Sequence, residues 1–241
     1  MFNKKLALAV QNLCYLPIVQ WGYGEENGPH KWDCLATEFE VCGKGKRQTP
    51  IDITASVTAD LPALEFLYRP IPLTFVKNNY TFQIKADNGG ALKIGENSYQ
   101  LLQFHAHTPS EEAINGKRLD MVIHFVHQNI HGQLAVVAVC LEVGEPNPVI
   151  DTLFKLMPKT PGETQQHDVQ IDINQMLPQE REYFTFEGSL TTPPCTEGVK
   201  WILLKQPLSI SAAQLAQYQA TYSQNARPLQ PLNDREVFSS N

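Results

Sequence analysis

Residues 98–108 read Ser98-Tyr-Gln-Leu-Leu-Gln-Phe-His-Ala-His-Thr108, and no other part of the sequence constrains the fold as strongly. The alternating pattern predicts a β-strand, which a turn at Gly95-Glu-Asn97 joins to a strand predicted at residues 91–94. Side chains two positions apart on a strand project from the same face. His105 and His107 are therefore expected to point in the same direction.

A third histidine joins this pair if the next predicted strand lies beside the strand that carries His105 and His107. His124 lies in residues 119–127, a strand predicted after a loop through Asn115-Gly116. An antiparallel neighbour would bring His124 opposite the pair, and three neutral histidines leave one position of a tetrahedral zinc ion open, as catalytic sites require. The pair alone is a weak signal, which two ordinary histidines on a strand face explain better than a metal site does. His127 faces the other side and is expected to be structural.

Further strand patterns dominate the rest of the chain. Strands are predicted at residues 73–77, 81–85, 134–143, 181–186 and 199–205. The 17 prolines argue against long helices. Helices are predicted only at residues 147–156 and, after a capping box at Ser211-Ala-Ala-Gln214, from residue 211 to about 222. The fold class that follows is mainly β with peripheral helices, around a large and mostly antiparallel sheet.

Length and charge limit the function classes. The chain has 241 residues, 42% of them hydrophobic, and a net charge of −6. Without a repeat, a linker or a shift in composition, residues 21–241 are interpreted as one domain. The net negative charge argues against a nucleic-acid partner, and the short run Lys44-Gly-Lys46-Arg47 is typical of a solvated loop. No apolar stretch is long enough to span a membrane.

The first 20 residues leave two interpretations open. Lys4 and Lys5 precede short apolar stretches, which is the pattern of a weak secretory signal peptide. The alternative is an ordinary N-terminal arm.

The five cysteines point to one disulfide rather than to a metal site. Cys14 falls in the possible signal, and Cys140 lies in an apolar run, where a buried thiol is expected. Cys34, Cys42 and Cys195 have loop-like surroundings. One disulfide with one spare thiol fits an exported protein, whereas no Cys-x-x-Cys pair is present to bind zinc.

Several separate blocks of the sequence resemble the alpha-class carbonic anhydrases, particularly those of the exported bacterial type. In chain order the blocks are Trp21-Gly-Tyr-Gly, Gly45-Lys-Arg-Gln-Thr-Pro-Ile-Asp-Ile53, Gln103-Phe-His-Ala-His-Thr-Pro-Ser-Glu111, Ile123-His-Phe-Val-His127, Gly188-Ser-Leu-Thr-Thr-Pro-Pro-Cys-Thr-Glu-Gly-Val-Lys-Trp201 and Arg227-Pro-Leu-Gln-Pro-Leu232. The resemblance implies the family's ten-stranded, mostly antiparallel twisted sheet. It also implies reversible hydration of CO2 to bicarbonate and a proton, which is a carbon–oxygen lyase reaction.

The resemblance assigns Zn2+ as cofactor and His105, His107 and His124 as its ligands. In this family a zinc-bound hydroxide attacks CO2, because zinc lowers the pKa of bound water to about 7, an effect for which carbonic anhydrases are themselves the standard example. Gln103 matches the residue that holds the first ligand, His105. Tyr23 is also assigned to the residues that support the site.

The resemblance also gives Thr191 and Glu111 linked roles. A threonine hydroxyl has one proton, so if Thr191 donates it to ionised Glu111, Thr191 must accept from the hydroxide. The backbone N–H of Thr191 and the side chain of Thr192 would hold the developing bicarbonate. The matching apolar pocket for CO2 is formed by Val126, Val136, Leu190, Val199 and Trp201. Without the resemblance, ordinary core packing is the better interpretation of these five residues.

Three positions depart from the family's pattern. Tyr80 stands where many fast members carry a histidine that transfers protons, and a tyrosine is a poor proton carrier at neutral pH. Val122 stands where a glutamate usually orients the third ligand. Glu112 replaces a residue near that glutamate. The hypothesis is that the Glu112 carboxylate takes over the hydrogen bond to His124. The alternative is that the Glu112 carboxylate is solvated.

Localisation and partners follow from the same resemblance. Cys42 and Cys195 match the disulfide of exported bacterial members, which favours the periplasm or secretion; a cytoplasmic location follows if the N-terminus is no signal. The expected partner is the small-molecule substrate, with a monomer or homodimer as the assembly. The alternative function is a non-catalytic or weakly active zinc-binding module of the same fold, and ester hydrolysis is expected only as a side activity.

Overall fold

A computed structural model describes residues 20–160, 162 and 164–241, and its main feature is a large twisted sheet. The possible signal peptide lies almost wholly outside the described residues. The strands are β1 (Asp52–Ile53), β2 (Val57–Thr58), β3 (Leu64–Tyr68), β4 (Ile71–Lys77), β5 (Phe82–Lys85), β6 (Gly90–Ile94), β7 (Asn97–His107), β8 (Ala113–Ile114), β9 (Met121–Gln128), β10 (Leu134–Val143), β11 (Thr164–Ile171), β12 (Tyr183–Ser189), β13 (Glu197–Leu204), β14 (Leu208–Ile210) and β15 (Phe238–Ser239). The helices are α1 (Trp32–Leu35), α2 (Val41–Lys44), α3 (Pro148–Leu156) and α4 (Ala212–Gln219), with 3-10 turns at Thr37–Phe39 and Ile173–Met176.

The sheet is mixed, although most of its strand pairs are antiparallel. Its main path runs β11-β4-β5-β7-β9-β10-β13-β12-β15-β2, with β14 added on β10, β6 on β7 and β3 on β6. Parallel pairs join β10 to β13 and β14, and β15 to β2. In a separate small sheet, β1 pairs in parallel with β8. The predicted fold class is confirmed. Among the described residues the main sheet has 13 strands rather than ten, because it includes short strands that no sequence pattern indicated.

The register between the central strands decides where the histidines lie. β7 and β9 are antiparallel neighbours, with His105 directly opposite His124. On the other side of β9, Ala138 of β10 lies opposite His124. The predicted approach of the third histidine to the pair is therefore confirmed.

Residues of β9 alternate between two buried layers. Ile123 and Phe125 face the larger core, which α3 and α4 cover, while Val122 and Val126 face a second apolar cluster on the side of the histidines. His127 belongs to the first layer, because its Nε2 lies 2.6 Å from the Tyr68 hydroxyl. His127 is structural, as predicted.

Both predicted helices are confirmed. Asn147 caps α3 by accepting hydrogen bonds from two backbone N–H groups, and Ser211 and Gln214 form the capping box of α4. α4 ends at Gln219, a few residues earlier than predicted. No helix among the described residues has the length and apolar content needed to cross a bilayer.

The segment before the sheet is more regular than expected, since α1 and α2 form within it. α2 carries Cys42, which forms a disulfide with Cys195 across a sequence separation of 153 residues. Cys140 is a buried free thiol and Cys34 an exposed one. The predicted pairing is confirmed, and such a bond is typical of oxidising compartments.

Candidate metal centre and active site

Three imidazoles meet where β7 and β9 lie side by side. The candidate ligand nitrogens of His105, His107 and His124 all lie within 4.8 Å of one another. His107 and His124 are buried, whereas His105 is half-buried at the edge of a cleft. The predicted ligand set is thus brought together by two neighbouring strands.

Each imidazole has a partner on the side away from the cluster. His105 Nδ1 lies 2.9 Å from Gln103 Oε1, and His107 Nδ1 lies 2.7 Å from the backbone carbonyl of Asn225. Because these oxygens can only accept, both Nδ1 atoms donate and both Nε2 atoms keep a free lone pair. In His124 the two ring nitrogens exchange these roles. Its Nε2 lies 3.4 Å from Glu112 Oε2, and its Nδ1 faces the cluster.

The site keeps its histidines neutral. Burial lowers the pKa of His105 and His107, and lowers that of His124 to about 4. A neutral imidazole is the form that binds metal. His107 Nε2 is buried without a hydrogen-bond partner, which is unfavourable unless a ligand occupies the lone pair. The donor set therefore fits a metal ion that prefers nitrogen ligands, such as zinc.

Glu111 lies beside the cluster and is completely buried. Its Oε1 accepts a hydrogen bond of 2.8 Å from the backbone N–H of Arg227. Its Oε2 lies 3.5 Å from His107 Nε2 and 3.8 Å from His124 Nδ1, and it has no hydrogen-bond partner. Thr191 is buried in the loop between β12 and β13. The expected bond from Thr191 is therefore not formed at Oε2, which stays available to accept.

Two residues that the sequence analysis did not single out hold this arrangement together. The Asn225 side chain donates to the carbonyls of Tyr80 and Ala106 and accepts from the backbone N–H of Thr108. The buried Arg227 guanidinium donates to the carbonyls of Thr49 and Cys42. Because the His107 partner is a backbone carbonyl, no side-chain type at position 225 could have revealed it. Arg227 lies in one of the blocks that resemble the family, but the partners of its guanidinium are backbone carbonyls as well.

The apolar residues expected around the substrate do form one cluster. Val126, Val136, Val199 and Trp201 are buried together, and Leu190 packs against them. The Trp201 ring meets the His124 ring edge to face, with centroids 5.0 Å apart.

A cleft of about 120 Å³ opens beside the ligands. Its lining comprises Trp21, Tyr23, Asn78, Tyr80, Thr81, Gln83, Gln103, His105, His107 and Thr192. Tyr80 stacks on Trp21 with ring centroids 3.8 Å apart, and burial raises its pKa. Tyr23 packs edge-on against both rings, and its hydroxyl is buried without a partner.

Comparisons with known proteins agree with this geometry. Residues 27–241 match the family model described as eukaryotic-type carbonic anhydrase. A carbonic anhydrase of Klebsiella pneumoniae is 41% identical over 221 residues, covering 90% of this chain and 90% of the relative. One from a Nostoc strain is 39% identical over 228 residues, covering 92% of this chain and 86% of the relative.

A solved structure of an alpha-carbonic anhydrase has the same fold as this chain. The alpha-carbonic anhydrase of Thermovibrio ammonificans in complex with the inhibitor sulfanilamide superposes with a TM-score of 0.89 at 37% identity, covering 91% of this chain and 99% of that one. The matched fold and the converging histidines lead to one conclusion. This chain belongs to the eukaryotic-type, or alpha, carbonic anhydrase family, and membership implies an enzyme that hydrates CO2.

Proposed function

We propose that the protein is a zinc enzyme that reversibly hydrates CO2 to bicarbonate and a proton. The observation that carries the proposal is the convergence of three neutral imidazole nitrogens, one of them buried with its lone pair unpartnered. The zinc ion would be held by Nε2 of His105, Nε2 of His107 and Nδ1 of His124. Bound zinc supplies Lewis acidity, which makes a water molecule acidic near neutral pH, as is established for carbonic anhydrases.

Gln103 and the Asn225 carbonyl keep two of the imidazoles ready for the metal. By accepting from Nδ1 they hold His105 and His107 in the tautomer whose Nε2 lone pair is free. A rigid donor set needs little rearrangement on binding the ion, so these partners favour tight metal retention.

Glu111 and Thr191 orient the attacking water. Glu111 is fixed by the Arg227 N–H and keeps Oε2 as a free acceptor. Thr191 Oγ1 would donate its single proton to that oxygen, and it can then only accept from the water. This directs the remaining lone pair of the water toward the substrate.

The apolar cluster beside His124 would receive CO2. Carbon dioxide is uncharged, so the surfaces of Val126, Val136, Leu190, Val199 and Trp201 bind it without needing to desolvate charge. The bicarbonate product is an anion and would be held by the Thr191 backbone N–H and the Thr192 hydroxyl.

Proton release is expected to limit the rate. Tyr80 lines the cleft, but the raised pKa of its phenol makes it a poor carrier at pH 7. Tyr23 and Trp21 pack around the Tyr80 ring and would keep it stacked at the cleft wall. Protons would therefore leave mainly to small buffer molecules that enter the cleft.

Residues 21–241 would form the mature catalytic domain after export to the periplasm or medium. The Cys42–Cys195 disulfide supports an oxidising destination. N-terminal mass analysis of protein from the expressing cells tests this, since cleavage near residue 20 is expected.

The test of function is stopped-flow CO2 hydration by protein of known zinc content. Hydration that a chelator abolishes and zinc restores would support the proposal, and inhibition by sulfanilamide is expected from the related inhibitor complex. Full zinc occupancy without hydration would instead identify a non-catalytic zinc-binding module.

A further inference from the structure

A buried carboxylate lies behind the third histidine. Glu112 belongs to the segment between β7 and β8, and only 2% of its surface is exposed. Its Oε2 lies 3.4 Å from Nε2 of His124, while its Oε1 is buried without a partner. An ionisable group with one unpartnered oxygen is not buried for packing alone, because its desolvation is unfavourable.

The sheet offers His124 no comparable acceptor. On the face of β9 that carries His124, the residue two positions earlier is Val122, which is apolar and fully buried. Across the β9–β10 register, Ala138 lies opposite His124 and Cys140 lies opposite Val122. A thiol is only a weak acceptor. Among the described residues, Glu112 Oε2 is the hydrogen-bond partner found for His124 Nε2.

The backbone around Glu112 is held in place by its neighbours. The Ser110 hydroxyl donates to the Glu112 carbonyl at 2.9 Å and accepts from the Leu119 N–H at 2.9 Å. The next residue, Ala113, donates its N–H to Ile51 O at 3.1 Å. The carboxylate is therefore presented by an anchored segment, as a group that orients a neighbour must be.

Glu112 also completes a pattern shared by the three histidines. His105 and His107 each have an oxygen acceptor on the side away from the cluster, and Glu112 supplies the third. Such partners fix the tautomer and the ring orientation of a metal ligand.

We infer that Glu112 is a positioning residue, which holds the His124 imidazole with Nδ1 unprotonated and turned toward the metal. It supplies this carboxylate from the β7–β8 segment, whereas Val122, on the same face of β9 as His124, is apolar and offers no acceptor. The inference rests on the proposed function, because it takes these histidines as the zinc ligands.

Zinc release to a competing chelator tests the inference. Glu112→Ala should lose zinc about 10–100-fold faster than the parent, the usual effect of removing such a partner. Glu112→Gln should show a smaller increase, since its amide oxygen still accepts but carries no charge. Val122→Ala is the matched control: it removes buried volume from the same face of β9, leaves the acceptor in place and should retain zinc like the parent.

A relocated carboxylate provides the decisive comparison. In Glu112→Ala/Val122→Glu, the new side chain starts two residues before His124 on the same strand face, so it can reach the ring from the other direction. This double variant should recover most of the lost zinc retention. The visible spectrum of the cobalt-substituted protein should change in Glu112→Ala, return toward the parent in the double variant and stay unchanged in Val122→Ala.

Unchanged zinc release and cobalt spectra in folded Glu112→Ala would overturn the inference. If Glu112→Ala does not fold, the near-isosteric Glu112→Gln decides, and parent-like values in it would also overturn the inference. If the parent binds zinc and hydrates CO2 and these variants match it, the proposed function stands and only the inference fails. A parent that binds no zinc would contradict both.

Discussion

Nδ1 of His107 donates a 2.7 Å hydrogen bond to the backbone carbonyl of Asn225, a residue 118 positions further along the chain. This contact ties the end of β7 to the segment after α4. The Asn225 side chain reinforces it by bonding the backbone of Tyr80, Ala106 and Thr108. The orientation of the His107 ring and the packing of that segment are therefore coupled.

Replacing Asn225 with alanine should weaken both stability and zinc retention. Several buried backbone groups would lose their partner, each with an expected loss of about 1–3 kcal/mol. Denaturant unfolding of metal-free protein and zinc release measure the two effects. Asn97→Ala removes only an exposed amide at the start of β7, and it should leave both unchanged. Parent-like zinc release in Asn225→Ala would show that the carbonyl is held by other contacts.

Thr191→Ala should lower CO2 hydration by about 100-fold, on the scale of removing one oriented polar group from an active site. Thr191→Ser keeps the hydroxyl and should retain most of the activity. Zinc content should be unaffected in both, because Thr191 is not a ligand. Equal activity of the alanine and serine variants would refute the orienting role.

Tyr80 should make turnover depend on buffer. Hydration by the parent should rise with added imidazole-type buffer, because the phenol cannot carry protons at neutral pH. Tyr80→His should raise the rate at low buffer and weaken the buffer dependence, and stopped-flow rates at a series of buffer concentrations measure both. A parent rate that is already independent of buffer would contradict this view of proton release.

Removing the disulfide should destabilise the fold markedly. Closing a loop of this length stabilises by up to about 5 kcal/mol in the entropic model. The bond also positions the Cys42 carbonyl, which accepts from the Arg227 guanidinium. Cys42→Ser/Cys195→Ser should therefore unfold at a lower temperature, whereas Cys34→Ser should not, since Cys34 is exposed and unpaired. A double variant as stable as the parent would argue against this contribution.

His127 should make the metal-free protein less stable in mild acid. Burial lowers its pKa to about 4, so between about pH 6.5 and pH 4 the unfolded chain binds a proton that the folded chain does not. Its contribution to stability is complete above pH 6.5 and falls by about 3 kcal/mol by pH 4. His127→Gln should reduce this slope in denaturant titrations across the window, and exposed His131→Gln should not. Parallel curves for the parent and His127→Gln would rule out the assignment.

The parts of the site that the sequence revealed are those governed by strand periodicity. His105 and His107 fall two positions apart on β7, so alternation alone aligned them, and an antiparallel neighbour brought His124 opposite. Short or polar strands left no such pattern. β1 and β8 have two residues each, and the mostly exposed β11 lacks a buried apolar face.

Contacts made through backbone atoms also could not be predicted from the sequence. The Asn225 carbonyl that holds His107 and the carbonyls that bind Arg227 depend on long-range packing rather than on residue type. The pairing of Cys42 with Cys195 was accessible only through the family resemblance. Glu111 Oε2 has no hydrogen-bond partner in the structure. The expected hydrogen bond from Thr191 to Glu111 is therefore not formed there, and it stays a prediction.

The most direct test is a zinc titration of metal-free protein with CO2 hydration followed by stopped flow. The rate should rise in proportion to bound zinc and level off at one ion per chain, and folded His107→Ala should gain little activity from the same additions. Full zinc loading without hydration, or hydration that does not change with bound zinc, would contradict the assignment of a three-histidine catalytic metal site.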